Sequence, residues 1–469
     1  MIAMNFKFPH AVQKRISTSL LVGSLVFGHS VLAADFVDPS IQETSGTVKV
    51  IVMMRDRTTL PRSLHSTSTY AQVRRALAEN ADASQKRLLS VLNTERSVSP
   101  EVRVKPFWLI NAVVVTIPSS RISVLKNHPD VRAIYANRPM HIIRDFQGRA
   151  TKLAGDPFTY GLAIMGIPQL RQENTKATGA GVTVGILDTG VDATHPDLKG
   201  KVIAFKDFVN HKPDAYDDHG HGTHVSGTIA GGNTSGTAIG IAPDAKIIMG
   251  KVFDAGGSSD NDTLLSGMQW MADPDGNPAT HDQPALVSNS WGGGTPSPTT
   301  DPTDDVFCQA LSSWMKLGIF PVFAAGNDGP DSGTVGSPGA CPQAYAVGAT
   351  NKNDGIASFS SRGPTVWKSS TLQRPGISAP GVDILSAAPG GQYVTMSGTS
   401  MATPHAAGVL ALIYQAMPNI TIEDASKLVS STSKDLGPTG PDADFGAGRI
   451  NALAAVKAAK AFRAAHSAQ

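Results

Sequence analysis

Gly398-Thr399-Ser400-Met401-Ala402-Thr403-Pro404-His405 runs directly into Val409, Leu410, Leu412 and Ile413. A glycine turn there becomes an apolar helix with a serine at its start. Backbone N–H groups gather at a helix N-terminus, and the helix dipole favours negative charge beside them. An attacking alkoxide and the oxyanion it creates both need that environment. A serine in this place can also be a plain N-cap. The motif alone leaves both readings open, and the residues upstream must decide.

Working outward, buried strands alternate with helices. Val182–Leu187 is near-continuously apolar, as strands of a parallel sheet are. Further strands are expected at 246–252, 286–288, 319–324 and 344–347, with helices at 222–230, 264–271, 306–316 and 400–416. The alanine-rich tail after Arg449 reads as a closing helix. This alternation predicts an α/β, doubly wound, mostly parallel sheet whose functional groups collect at strand C-terminal ends. Asp188 stands at such an end, in Asp188-Thr189-Gly190. His221 lies in His219-Gly220-His221-Gly222-Thr223-His224, just before an apolar helix. Asp, then His, then Ser is one of three chain orders known for one catalytic geometry. A serine hydroxyl is too weak an acid to attack at neutral pH, so an imidazole must take its proton. A buried aspartate then fixes the tautomer and stabilises the imidazolium.

On these three motifs the chain resembles the subtilisin-like serine peptidases over roughly residues 179–451. The resemblance implies a fold of subtilisin type, with Asp188 as orienting acid, His221 as general base and Ser400 as nucleophile. In the family motif His-Gly-Thr-His the first histidine is catalytic, which selects His221 over His219 and His224. Ala324-Ala325-Gly326-Asn327 resembles the oxyanion segment, pairing Asn327 with the N–H of Ser400. Asn289 competes for that role, but it precedes Ser290-Trp291-Gly292-Gly293, which resembles a substrate-binding edge. By the same likeness a substrate lies as an extended strand between Gly256-Gly257-Ser258 and Ser290-Trp291-Gly292. Ala325, Gly326 and Gly336 would frame the first pocket, and their small uncharged side chains favour an apolar or aromatic residue before the scissile bond. No cofactor is required for such chemistry. A structural calcium on Asp197 and Asn233 is implied by family position, although the loop Gly231–Gly236 is oxygen-poor for a cation that wants six to eight oxygens.

Other readings fit less of the chain. Asp188-Thr189-Gly190 imitates the tripeptide of pepsin-like aspartic peptidases, but its would-be second copy, Asp331-Ser332-Gly333, follows loop rather than strand. Sedolisins use glutamate in place of the histidine, and only Glu173 and Glu423 occur after residue 155. A catalytically silent binding protein of the same fold remains the alternative from another class. The presence of Asp188, His221, Ser400 and Asn327 together argues against it.

Upstream the style changes. Strands at 47–53, 102–106, 110–117 and 131–135 with helices at 70–92 and 119–127 give β-α-β-β-α-β, a small α+β ferredoxin-like unit. Its likeness to the family's propeptide, strongest at Phe107–Val115, implies a folding aid that then blocks the cleft. Residues 34–155 carry a net charge of +8 and residues 156–469 one of −9. Opposite signs suit docking of one unit on the other, and the acidic larger part does not suit nucleic acid. The exposed-looking linker 144–159 invites cleavage, expected somewhere in 141–160. Lys7, Lys14 and Arg15, the apolar run 20–32 and Val31-Leu32-Ala33 read as an export signal. The expected organisation is therefore signal peptide 1–33, propeptide 34–147 and peptidase domain 148–469. The product would be a secreted monomer, periplasmic if the source has an outer membrane, with no membrane contact after signal removal. In an oxidising compartment the two cysteines, Cys308 and Cys341, are expected to form a disulfide.

Overall fold

The computed structural model describes residues 33–41, 45–56, 69–143, 145–150, 155–174 and 176–467, so the expected export signal lies outside the described residues apart from Ala33. The N-terminal unit comprises β1 (Phe36–Val37), β2 (Thr47–Met54), α1 (Tyr70–Val98), β3 (Arg103–Phe107), β4 (Ala112–Pro118), α2 (Ser123–Lys126) and β5 (Val131–Ala136). Its five strands are ordered β1-β5-β2-β4-β3. β-Branched runs dictate the centre: Val50, Ile51 and Val52 of β2 pair with Val115, Val114 and Val113 of β4. The expected β-α-β-β-α-β order is present. The short β1, which pairs parallel to β5, was not foreseen because two residues carry no periodicity. α1 opens on a capping box in which Thr69 and Gln72 satisfy each other's backbone N–H groups.

Two strands then connect to the body: β6 (Pro139–His141) and β7 (Phe146–Ala150). The body follows as α3 (Tyr160–Ile164), α4 (Ile167–Glu173), β8 (Thr183–Asp188), β9 (Val202–Asp207), α5 (His221–Ala230), β10 (Lys246–Lys251), β11 (Ser258–Asp260), α6 (Asn261–Ala272) and β12 (Leu286–Asn289). It continues with α7 (Val306–Lys316), β13 (Phe320–Ala324), β14 (Tyr345–Thr350), β15 (Thr365–Val366), β16 (Thr371–Leu372), β17 (Ile377–Pro380), β18 (Ile384–Ala388) and β19 (Gln392–Ser397). Three helices close the chain: α8 (Thr399–Ala416), α9 (Ile422–Thr432) and α10 (Ala452–Ser467). Seven strands form the main sheet in the order β17-β14-β13-β12-β8-β10-β9, every pair parallel. β8 sits next to β12 and β10, so Asp188 emerges at the sheet's centre.

β9 and β17 escape a sequence reading for different reasons. β9 is an edge strand with Ile203 exposed, and β17 is four residues ending in Pro380. The described residues of the expected linker 144–159 are also tied to the body. β7 pairs with β19, Phe158 bridges Ala238, and Thr237 donates its hydroxyl to Asp156 O. No helix among the described residues is long and apolar enough to cross a membrane.

The N-terminal unit rides on α6 and α7. Lys49 pairs with Asp260 and Asp262, Lys105 with Asp262, Arg74 with Asp273 and Arg132 with Asp304. In every pair the cation belongs to the small unit and the carboxylate to the body, which is the local form of the charge asymmetry. Gln269 accepts from the N–H groups of Trp108 and Leu109, and Ser313 donates to Leu109 O. Tyr70, Leu77 and Phe107 share an apolar cluster with Leu265 and Trp314 of the body.

Candidate active site

α5 begins at His221, and its N-cap Gly220 takes φ of +100°, a conformation that favours glycine. Gly220 has no side chain to cap the helix, and Asp217 does so instead. Its carboxylate accepts from the N–H groups of His219, Gly220 and Thr223 and from the hydroxyls of Thr223 and Thr189. Burial would raise the Asp217 pKa, but these hydrogen bonds outweigh it and hold the carboxyl below its ordinary value. Thr189 Oγ1 also accepts from Gly222 N, tying the end of β8 to the start of α5. A Cβ on Gly222 would fall 2.1 Å from Gly190 O, so only glycine lets the two elements approach.

This clamp sets the distance that matters. Asp188 Oδ1 lies 2.6 Å from His221 Nδ1, and Thr189 N donates to the same oxygen at 2.7 Å. Asp188 and His221 are both buried. Burial alone would lower the His221 pKa; the Asp188 and Asp145 carboxylates override it and hold the imidazole well above its usual value. His224, one turn on, bonds Ile384 O, and burial drives its pKa down to about 3. His219 stands 6.3 Å from His221, ring to ring. His405, inside α8, bonds Met401 O, and burial lowers its pKa to about 4.

Ser400 is the second residue of α8 and fully buried. Pro404 lies four residues later in the same helix and has no N–H to give to Ser400 O. The hydroxyl of Ser290 donates there instead at 2.9 Å, and Ser400 Oγ donates to Ser290 O at 3.3 Å. Proline in the motif thus frees a carbonyl through which Ser290 fixes the helix start. Asn327 is oriented through its oxygen, which accepts from Thr399 N and Thr399 Oγ1 at 2.9 and 2.8 Å. Its Nδ2 therefore faces the opposite way and donates to Asp145 Oδ1 at 3.4 Å. Asn289 is turned into the sheet, donating to Val287 O and Val322 O, and is removed from the oxyanion side.

The two expected substrate edges hold the chain's own segment. β6 pairs antiparallel with β11, setting His141 opposite Ser258 and Met140 opposite Ser259. Ile142 N donates to Gly257 O at 2.9 Å, and Ile142 bridges Trp291. Gly257 has φ of +71°, and a Cβ there would fall 2.8 Å from Ile142 Cγ1. Trp291 contributes backbone only: its ring is enclosed by Phe253, Phe307 and Phe323. Gly292 lies beside Ile143 and Ser337, while Ala325 O accepts Gly336 N and Gly326 N donates to Thr399 Oγ1. Cys308 and Cys341 form a disulfide that ties α7 to this wall, where Cys341 N bonds Pro338 O.

Asp197 and Asn233 do not fit a cation. Asp197 Oδ1 accepts Thr234 N and Oδ2 accepts the Tyr393 hydroxyl, both at 2.7 Å, and Asn233 is exposed. Both carboxylate oxygens therefore already face donors, so the geometry gives no support to the calcium expected at these two residues. The sequence reading also passed over Asp145, Asp217 and Lys251. Lys251 is fully buried and donates to Thr189 O, Phe253 O and Asp218 Oδ1. Asp217 had a readable signal, an acidic residue just ahead of a helix start. Nothing in the local sequence marks the other two.

Comparison with known proteins gives the following likenesses. The family model described as the subtilase family matches residues 179–448. The serine protease AprX of Bacillus subtilis is 35% identical over 358 residues, covering 71% of this chain and 76% of its own. Subtilisin E of the same organism is 34% identical over 356 residues, covering 75% of this chain and 82% of its own. Bacillopeptidase F, also from B. subtilis, is 32% identical over 85% of this chain, which spans only 29% of that longer protein.

Proposed function

The chain belongs to the subtilase family and is a serine endopeptidase, and from that premise we propose that Asp188, His221 and Ser400 carry its reaction. His221 Nε2 takes the proton of Ser400 as Oγ attacks the scissile carbonyl, and later returns it to the leaving amine. Asp188 keeps Nδ1 protonated and stabilises the imidazolium. The side-chain amide of Asn327 and the N–H of Ser400 receive the oxyanion of the tetrahedral intermediate. An acyl-enzyme on Ser400 follows, and water releases it by the reverse sequence. The observation that carries this reading is the 2.6 Å contact between Asp188 and His221, made at the ends of two elements clamped together by Asp217 and Thr189.

The peptide substrate lies as a strand between Gly257-Ser258 and Ser290-Trp291-Gly292, in the place that residues 139–143 take in the unprocessed chain. Ala325, Gly326 and Gly336 leave a small uncharged first pocket suited to an apolar side chain. Residues 34–147 act as a propeptide that occupies the cleft, residues 1–33 direct export, and residues 148–469 make up the peptidase domain. No cofactor takes part. A fluorophosphonate probe tests the core of this reading: it should label the processed protein, and Ser400→Ala should abolish the label. Labelling that survives this substitution would assign the nucleophile elsewhere.

A further inference from the structure

At the centre of the candidate triad stands a carboxylate that peptide hydrolysis does not call for. Asp145 lies between β6 and β7, on the segment that leaves the cleft. Its Oδ2 is 2.8 Å from His221 Nε2, an ion-pair distance, and its side chain is only 6% exposed. Its Oδ1 accepts from Asn327 Nδ2. The same oxygen would be 2.0 Å from a Cβ placed on Gly398, so the carboxylate is pressed against the backbone at the start of α8.

These two contacts are the two the reaction must make. The imidazole Nε2 has to receive the serine proton, and the Asn327 amide has to donate to the nascent oxyanion. Ser400 Oγ meanwhile donates to Ser290 O, and no hydrogen bond to His221 is among those of the described residues. A carboxylate offers what the tetrahedral intermediate offers: negative charge on oxygen beside an imidazolium and an amide donor.

We propose that Asp145 is a latch in the unprocessed chain, pairing with His221 and occupying Asn327 so that Ser400 cannot be activated until this segment withdraws. The proposal rests on the triad reading above and adds to it a specific group that governs when the triad works. General occupancy of the cleft by residues 139–143 blocks a second substrate. The latch acts differently, by disarming the base.

The pairing is pH-sensitive in a defined sense. Facing the imidazole are Asp188 from β8, Asp145 from the connecting segment, and the rings of His219 and His224. Burial lowers the His221 pKa, but the two carboxylates raise it well above the free value, about 6.5. A group with a raised pKa keeps its partner fully below its unperturbed pKa and loses it as pH climbs through the raised one. Self-processing of the precursor should therefore speed up from neutral to alkaline pH.

The test uses the full precursor and follows conversion to the processed form across pH. Asp145→Asn keeps the shape and removes the charge. It should process several-fold faster than the parent at neutral pH, because the imidazole loses one of the two carboxylates that hold it protonated. Its pH dependence should flatten. Parental rate and pH profile in Asp145→Asn would overturn the latch. A second measurement does not depend on processing: in the uncleavable Ser400→Ala precursor, the His221 imidazole is titrated by NMR with and without Asp145→Asn. A lower pKa is expected without the Asp145 charge, and an unchanged titration would also overturn it. Fluorophosphonate labelling of the processed parent separates the two readings. Label lost with Ser400→Ala while Asp145→Asn leaves the precursor's processing rate and pH profile unchanged sinks the latch alone, whereas label retained with Ser400→Ala sinks the triad assignment.

Discussion

In the N-terminal unit the fully enclosed side chains include Val50, Val52, Leu88, Leu92, Val113 and Ile134. In the body the equally enclosed set includes Asp188, His221, Lys251, Ser400 and His405. The small unit buries few charges, Asp38 and Glu95 among them, and turns others to the interface, where Lys49, Arg74, Lys105 and Arg132 meet aspartates. The body takes charges inward and must satisfy each one, as Lys251 does with three acceptors and Asp217 with five donors. Burying polar groups costs stability unless they are paired, so a network of this kind marks where function resides. The buried polar groups of the small unit, Gln85 with Asn111 and Asp38 with Arg138, serve its own fold, and its contribution is position.

The comparison can be broken most severely at the proposed triad. Ser400→Ala should lower kcat by about 10⁶-fold, the size established for the subtilisin serine itself. Kinetics on a peptide substrate with the processed enzyme would check it. Asn327→Leu should lower kcat by about 10²–10³-fold with KM little changed, again a magnitude from this family. An equal rise in KM would mean that Asn327 binds the ground state rather than the oxyanion.

Smaller effects sharpen the contrast. Replacing both Cys308 and Cys341 by serine opens a loop with sequence separation 33. The processed body should lose roughly 3–4 kcal/mol in denaturant unfolding while kcat at 25 °C stays within about twofold. At the interface, Lys49→Ala with Lys105→Ala removes half-exposed pairs worth about 0.2–1 kcal/mol each. After cleavage, the N-terminal unit should dissociate a few-fold faster, and added salt should mimic the change in the parent. The smallest effect is none: a chelator should leave the Tm unmoved by any ion at Asp197, because Thr234 and Tyr393 already hold both oxygens. Tyr393→Phe, which strips one donor, should cost about 1 kcal/mol or slightly more.

Much of this was legible in one dimension. Asp188 declared itself by ending a buried apolar run, and Ser400 by standing between a glycine and an apolar helix. The disulfide followed from two cysteines and an export context. Asn327 could be told from Asn289 only by motif likeness, since both are asparagines at the end of a buried strand. In the fold Asn289 is consumed by Val287 O and Val322 O, while Thr399 turns the Asn327 amide outward. The implied calcium finds no support at Asp197 because Tyr393, almost two hundred residues away, supplies a hydroxyl that no local pattern reveals.

The sequence by itself determined the class of chemistry, the chain order of its parts, the alternating strands and helices, and the opposite charges of the two units. All of these are properties of short stretches or of summed composition. Tertiary structure alone decided which groups share a site. Asp217 and Thr189 bring β8 to α5, Pro404 leaves a carbonyl for Ser290, and Asp145 comes to rest between His221 and Asn327. Each contact joins residues far apart in the chain, and its strength depends on burial and angle. Those quantities exist only once the chain has folded.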